Sequence, residues 1–191
     1  MYEPDFEPDL DIQSLLKAEQ DRQDRSIHLI PSENQCSQSV LDAVGSSLIN
    51  KYSEGYAGRR YYEGNEIIDQ VERLAQERAK ALFGVPHANV QPYSGSPANS
   101  SAYMALAEPG STILGLKLSS GGHLTHGQPN ITFSGKYYRS IQYGLDADAR
   151  INLDEVRKLA IEHKPKVMVI GTTAYPFTLP FREFAEIAEE I

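Results

Sequence analysis

The sequence has 191 residues, 40% hydrophobic and 23% charged, the balance of a globular chain long enough for one core with or without an arm. A net charge of −8 without any Lys/Arg run argues against nucleic-acid binding, and no stretch approaches a membrane span. Cys36 is the only cysteine, which excludes an internal disulfide and fits a reducing compartment, and the acidic start is unlike a signal peptide, so the cytoplasm is the expected location.

Residues 1–11 carry Glu3, Asp5, Glu7, Asp9 and Asp11, interrupted by Pro4 and Pro8, and read as an extended, solvated arm. A helix is predicted over residues 12–25, with Leu15 and Leu16 facing a partner or the chain's own body. Residues 1–26 thus form an acidic arm and helix, and 27–191 the remaining domain. After the apolar bridge Ile27 to Ile30, the polar cluster Ser32-Glu33-Asn34 reads as a loop that caps a helix over residues 37–50. Val40, Leu41, Val44, Leu48 and Ile49 form the predicted buried stripe of that helix.

Residues 51–64 hold four tyrosines, Arg59, Arg60, two glutamates and three glycines, with neither a helical nor a strand period. Such a loop is too polar for core and too aromatic for a linker. It suits a binding wall or a protein contact, and both at a subunit boundary. Residues 65–83 give the clearest helix: Ile67, Ile68, Val71, Leu74, Ala75, Ala79 and Leu82 recur at three- and four-residue spacing, and Gly84 ends it. It reads as a core helix without chemistry.

The stretch Val90 to Asn99 turns sharply between Pro92 and Pro97 and enters a helix over residues 98–107. Ser94-Gly95-Ser96 then sits at a helix N-terminus. Two hydroxyls and the free amides of a first turn suit a phosphate or carboxylate, and they equally suit an ordinary capping turn.

A buried strand over residues 111–118 leads into Ser119 to Gly127, a loop with three glycines, His123 and His126. No carboxylate or cysteine lies nearby, so no metal is expected; an imidazole lying on a ligand is the better reading. A short strand at 140–143 follows. Asn152 and Glu155 form a capping-box pattern, whose helix carries Leu153, Val156, Leu159 and Ala160 and stops before Pro165. Residues 166–171 read as a parallel-sheet strand with the loop Thr172 to Pro176 at its end. Residues 181–191 begin another helix, with Phe181, Phe184, Ala185, Ala188 and Ile191 on one face. Strand and helix alternate here, implying an α/β layer with right-handed crossovers and ligands beyond the carboxyl ends of the strands. Ser94–Ser96, Ser119–Gly127 and Thr172–Tyr175 are expected to face one crevice.

From residue 15 to the end the chain resembles the N-terminal part of the serine hydroxymethyltransferase (glycine hydroxymethyltransferase) family. The stretches that carry the resemblance are Ser32-Glu33-Asn34, residues 50–56, Gly58-Arg59-Arg60-Tyr61-Tyr62, residues 89–99 and Gly121-Gly122-His123-Leu124-Thr125-His126-Gly127. They come in the family's order and at about its spacing. The resemblance implies the fold-type I pyridoxal-phosphate large domain, aspartate-aminotransferase-like and here incomplete, with an N-terminal helical arm. It implies a homodimer or homotetramer that interconverts serine and glycine and passes a one-carbon unit to tetrahydrofolate.

By the same resemblance Ser94, Gly95 and Ser96 hold the cofactor phosphate and His123 stacks on its ring. Thr173 stands in place of a serine that bonds the ring hydroxyl. Ser32 touches the substrate carboxylate. Tyr52, Glu54 and Tyr62 reach the neighbouring subunit's site, with Glu54 as proton carrier. Tyr61, Leu118, Gly122 and Leu124 lie near the folate. The family's Schiff-base lysine, pyridine-binding aspartate and carboxylate-binding arginine come later than residue 191, so the chain is expected to carry half a site and to be inactive alone. Departures are Pro31 before Ser32, Glu63 after the tyrosine pair, and the apolar run 176–180. Other readings are a non-catalytic fragment or relative that keeps the fold for binding or oligomerisation, and a threonine-type aldolase, against which the Tyr52–Tyr62 segment speaks.

Overall fold

The computed structural model describes residues 7–191, and residues 1–6 of the expected arm lie outside the described residues. The chain divides into two compact units after Gln35, beyond the expected end of the arm at residue 26. In the first unit, α1 (Leu10–Asp24) begins where the Asp9 carboxylate accepts the N–H groups of Asp11 and Ile12, both at 3.1 Å. This cap starts the helix earlier than its apolar pattern predicts. Leu15 and Leu16 are exposed on it.

The second unit opens with α2 (Gln38–Val44) and a 3-10 turn over Ser47–Asn50. The single helix expected over 37–50 is broken at Gly45-Ser46, where the Ser46 hydroxyl takes the Leu48 N–H and offers the backbone a turn. Its expected stripe is not buried: Val40, Leu41, Val44 and Ile49 are all exposed. The segment expected to lack strand structure folds into a hairpin, β1 (Gly55–Tyr56) against β2 (Arg59–Arg60). Two-residue strands are too short to leave a period. Gly55 opens β1 at φ +102; a Cβ there would stand 2.5 Å from the Arg59 carbonyl oxygen.

The next helix, α3 (Glu66–Phe83), ends at Gly84 in the left-handed conformation, as the sequence predicts. It is not the core helix expected. None of its residues is buried, and Ile67, Val71 and Leu74 are exposed. The hairpin meets its polar side instead, through Asp69 and Glu72.

Then come α4 (Gly95–Leu106), β3 (Thr112–Leu116), α5 (Phe133–Tyr137), β4 (Arg139–Tyr143), α6 (Leu153–His163), β5 (Val167–Met168) and α7 (Phe181–Glu189). The helix α4 starts before Ala98, because Pro97 falls in the first turn, where an N–H has no intrahelical acceptor to lose. α5 left no signal in the sequence reading.

The central strand is β3. It runs parallel to β4 across five residue pairs and parallel to β5 on its other edge. Ile113, Leu114 and Leu116 are fully buried, as a strand covered on both faces requires. β5 is shorter than the strand expected over 166–171, although the Lys166 and Val169 N–H groups continue its bonding to Thr112 and Leu114.

Leu114 and Leu116 pack with Tyr143, Val156, Phe184 and Ile187 under α6 and α7. Ile113 packs with Tyr103 of α4 and Tyr138. Burial of each such side chain stabilises by roughly 1.5–3 kcal/mol. The Asn152 side chain caps α6 by accepting the Glu155 N–H at 3.0 Å, while the Glu155 carboxylate turns to the Gly144 N–H at 2.8 Å instead of completing the capping box. α7 buries Phe184 and Ile187 only. Phe181, Ala185, Ala188 and Ile191, grouped with Phe184 on one face by their spacing, are exposed, because one row of contacts meets the core.

Among the described residues, no helix is long and apolar enough to cross a membrane, and no group of three metal-ligating side chains occurs.

Candidate functional site

Beyond the carboxyl end of β3 the chain makes a short 3-10 turn, Leu118–Ser120, and folds back at Gly121, φ +95. Gly122 is buried, and a Cβ on it would collide with the Leu116 carbonyl. This tight return brings His123 over the strand end. The His123 Nδ1 lies 2.7 Å from the Thr125 hydroxyl and accepts the Thr125 N–H at 3.1 Å. The Thr125 hydroxyl in turn accepts the Asn99 amide N–H at 2.7 Å, and its carbonyl accepts the Tyr103 hydroxyl at 2.9 Å. Asn99 and Tyr103 belong to α4, so the helix that Ser94 begins is fastened to the histidine loop one turn from its start.

Thr173 closes the other side. Its N–H donates to the Gly121 carbonyl at 2.8 Å and its hydroxyl to the Gly122 carbonyl at 3.0 Å. The structure therefore bonds three segments into one group: 94–99, 117–127 and 172–175. Ser94 is the N-cap of α4 and its side chain makes no capping bond; Gly95 and Ser96 occupy the first turn and are exposed. Free hydroxyls and first-turn amides remain available there for an anion. Leu118 and Leu124 are exposed on the same loop. His126 is buried, accepts the His123 N–H at 3.2 Å, and is held below the ordinary histidine range by desolvation. Burial pushes the Tyr103 hydroxyl up to about 12, so it stays a donor.

A second group forms around the hairpin. Arg60 is buried at its side chain, 5% exposed, and forks onto Asp69 at 2.8 Å and Glu72 at 2.7 Å. Its Nη1 donates to the carbonyls of Ser53 and Gly55, the residues on either side of Glu54. The Asp69 hydrogen bond to Arg60 holds that carboxyl below the usual aspartate range. Gln91 adds bonds to the Gly55 carbonyl and to Glu72, linking the hairpin to the segment that leads into α4.

Buried Asn65 donates to the Tyr62 carbonyl at 2.9 Å and to the Tyr52 carbonyl at 3.4 Å, and the two tyrosine rings meet edge-on at 5.1 Å. The Tyr61 N–H returns to the Glu54 carbonyl. Tyr52 and Glu54 line a cavity of about 680 Å³ whose other walls include Ile68, Val71, Val90 and Gln91; none comes from 117–127 or from Thr173.

The residues singled out in the sequence thus gather in two groups, one of histidine, hydroxyls and helix amides, the other of tyrosines and a carboxylate. Ser32 belongs to the first unit, in the turn after Ile30. Sequence reasoning assigned no part to Asn99, Thr125, Arg60 or Asn65. Thr125 and Arg60 stand inside the motifs, but only distances reveal what they hold.

The family model for serine hydroxymethyltransferase matches residues 6–191. A serine hydroxymethyltransferase of Acidothermus cellulolyticus is 56% identical over 181 residues, 94% of this chain and 42% of the relative. The chain spans less than half the length of that curated relative.

Proposed function

The chain belongs to the serine hydroxymethyltransferase family, and from that premise we propose that it forms part of an enzyme interconverting serine and glycine, with tetrahydrofolate carrying the one-carbon unit. The family's cofactor is pyridoxal phosphate. One observation carries the assignment of its site: α4, His123 and Thr173 are bonded together beyond the carboxyl end of β3, through Asn99 to Thr125 and through Thr173 to Gly122. A helix N-terminus for a phosphate, a ring to lie on a ring, and a hydroxyl for a polar substituent are the donor set that this cofactor needs.

Ser94, Gly95 and Ser96 bind the phosphate, His123 lies against the ring, and Tyr52 contacts the cofactor from a neighbouring copy. Thr173, whose hydroxyl donates to the Gly122 carbonyl, would meet the cofactor's ring hydroxyl. Pyridoxal phosphate supplies an electron sink when bound, which leaves the protein to bind, orient and move protons.

Glu54 moves a proton at the substrate hydroxyl oxygen, held in place by the backbone bonds on both its sides. Tyr62 walls the same space and excludes water, and Ser32 meets the substrate carboxylate. Exposed Leu118, Leu124 and Tyr61 offer surface to the flat folate ring, and buried Gly122 shapes the loop that carries the two leucines. The cavity of Tyr52 and Glu54 takes no wall from the His123 loop, which supports a site completed between copies, as a homodimer or homotetramer. The second unit is then the beginning of a fold-type I large domain. Cys36, free and exposed, suits the cytoplasm.

In the complete enzyme, Glu54→Gln is expected to lower folate-dependent serine turnover by about 10²- to 10⁴-fold, with pyridoxal-phosphate retention after gel filtration unchanged. Equal loss of turnover and retention would remove Glu54 from proton transfer.

A further inference from the structure

We propose that Thr125 is the positioning residue of His123: it fixes the imidazole with the proton on Nε2 and the ring in one orientation. The functional weight of this role rests on the reading of His123 as the ring that meets the cofactor. The geometry is independent of that reading.

A peptide N–H always carries its proton. The Thr125 N–H points at His123 Nδ1 from 3.1 Å, so Nδ1 is the acceptor and the ring proton sits on Nε2. The Thr125 hydroxyl reaches the same nitrogen at 2.7 Å. With the Asn99 amide N–H already on that hydroxyl oxygen, the hydroxyl hydrogen is free to turn to Nδ1. Thr125 is itself immobilised: it is 1% exposed, and Tyr103, at 4%, donates to its carbonyl. Two side chains of α4 thus hold Thr125, and Thr125 holds the ring.

The adjoining histidine repeats the device, since the His123 N–H donates to His126 Nδ1. Each imidazole of the His-Leu-Thr-His run therefore accepts at Nδ1 from a backbone N–H. His123 differs in gaining a hydroxyl from the same residue that gives the N–H. The result is a ring that presents Nε2–H to a ligand and cannot flip to present a bare nitrogen.

The test is nitrogen NMR of the complete protein with labelled histidine, before and after addition of pyridoxal phosphate, in wild type, Thr125→Val and Thr125→Ser. The wild type is expected to show bare Nδ1 and protonated Nε2 at His123. Thr125→Val, which keeps shape and the backbone N–H but loses the hydroxyl, is expected to keep the Nε2–H tautomer, shift the Nδ1 signal and weaken pyridoxal-phosphate affinity about tenfold, the worth of one buried hydrogen bond. Thr125→Ser is expected to restore both. A protonated Nδ1 in the wild type, or a valine variant with unchanged nitrogen signals, overturns the proposal. Because the wild-type spectrum alone decides the tautomer, a misfolded valine variant does not shield it. Should the tautomer pattern hold while added pyridoxal phosphate leaves the ring signals unmoved, Thr125 keeps its role and the cofactor reading of His123 fails.

Discussion

Around β3 the chain hides its apolar side chains; around α3 it leaves them in solvent. Leu114, Leu116, Phe184 and Ile187 are almost inaccessible, and two helices cover them. Ile67, Val71 and Leu74 stand on a helix with a well-defined apolar side, yet no residue of α3 is buried. What holds the hairpin to α3 is polar: the Arg60 fork on Asp69 and Glu72, with Gln91 beside it. The group around His123 is therefore mounted on a core, and the group around Glu54 on a set of directional bonds to charges. Burial is tolerant of small shifts, whereas a fork of hydrogen bonds fixes the Ser53–Gly55 backbone in one geometry. That difference suits the proton-carrying role proposed for Glu54, which depends on position.

The contrast is broken most severely at Phe184, which packs on Tyr143 at 5.6 Å between ring centroids. Phe184→Ala is expected to cost about 3–5 kcal/mol, read as a fall in denaturant midpoint. Arg60→Lys comes next. It keeps the charge but not the fork, and is expected to lower serine turnover of the complete enzyme about 100-fold through a misplaced Glu54. Amide exchange at Gly55 and Tyr61 should quicken in step; turnover lost without faster exchange would assign Arg60 a different role.

On the α3 face, Leu74→Ala in this chain is expected to change stability by no more than about 0.5 kcal/mol, as at an ordinary surface site. A loss equal to that of Phe184→Ala would mean that another surface covers α3 in solution, and the contrast would vanish. The smallest effect concerns pH. Arg60 depresses the Asp69 carboxyl, so this pair contributes fully above the usual aspartate range and is lost only as pH falls through the lowered native value. The Gly58 amide, which donates to Asp69 at 2.6 Å, should report it by its chemical shift. A Gly58 titration within the ordinary aspartate range would count against the fork as the clamp.

Elements that carry their own signal could be read from sequence. Residues 66–83 show a full period and a stopping glycine, and β3 shows an unbroken apolar run. Ser94-Gly95-Ser96 announced a helix start, although Pro97 hid how early it begins. The hairpin was illegible, because its strands have two residues each and its pairing depends on Gly55 lying against Arg60. Burial along α2 and α3 departs from the expected stripes for a common reason. A helical period says which side is apolar, not whether anything lies against it.

By itself the sequence determined the kinds of chemistry present, a hydroxyl-rich helix start, a histidine in a glycine loop, and a carboxylate among tyrosines. It also determined the family, because those residues keep a fixed order along the chain. Only the tertiary structure decided which of them meet. Asn99 reaches Thr125 across 26 positions and Thr173 reaches Gly122 across 51. Such bonds form where strand ends and a helix start converge, and a one-dimensional pattern carries no term for distance in space.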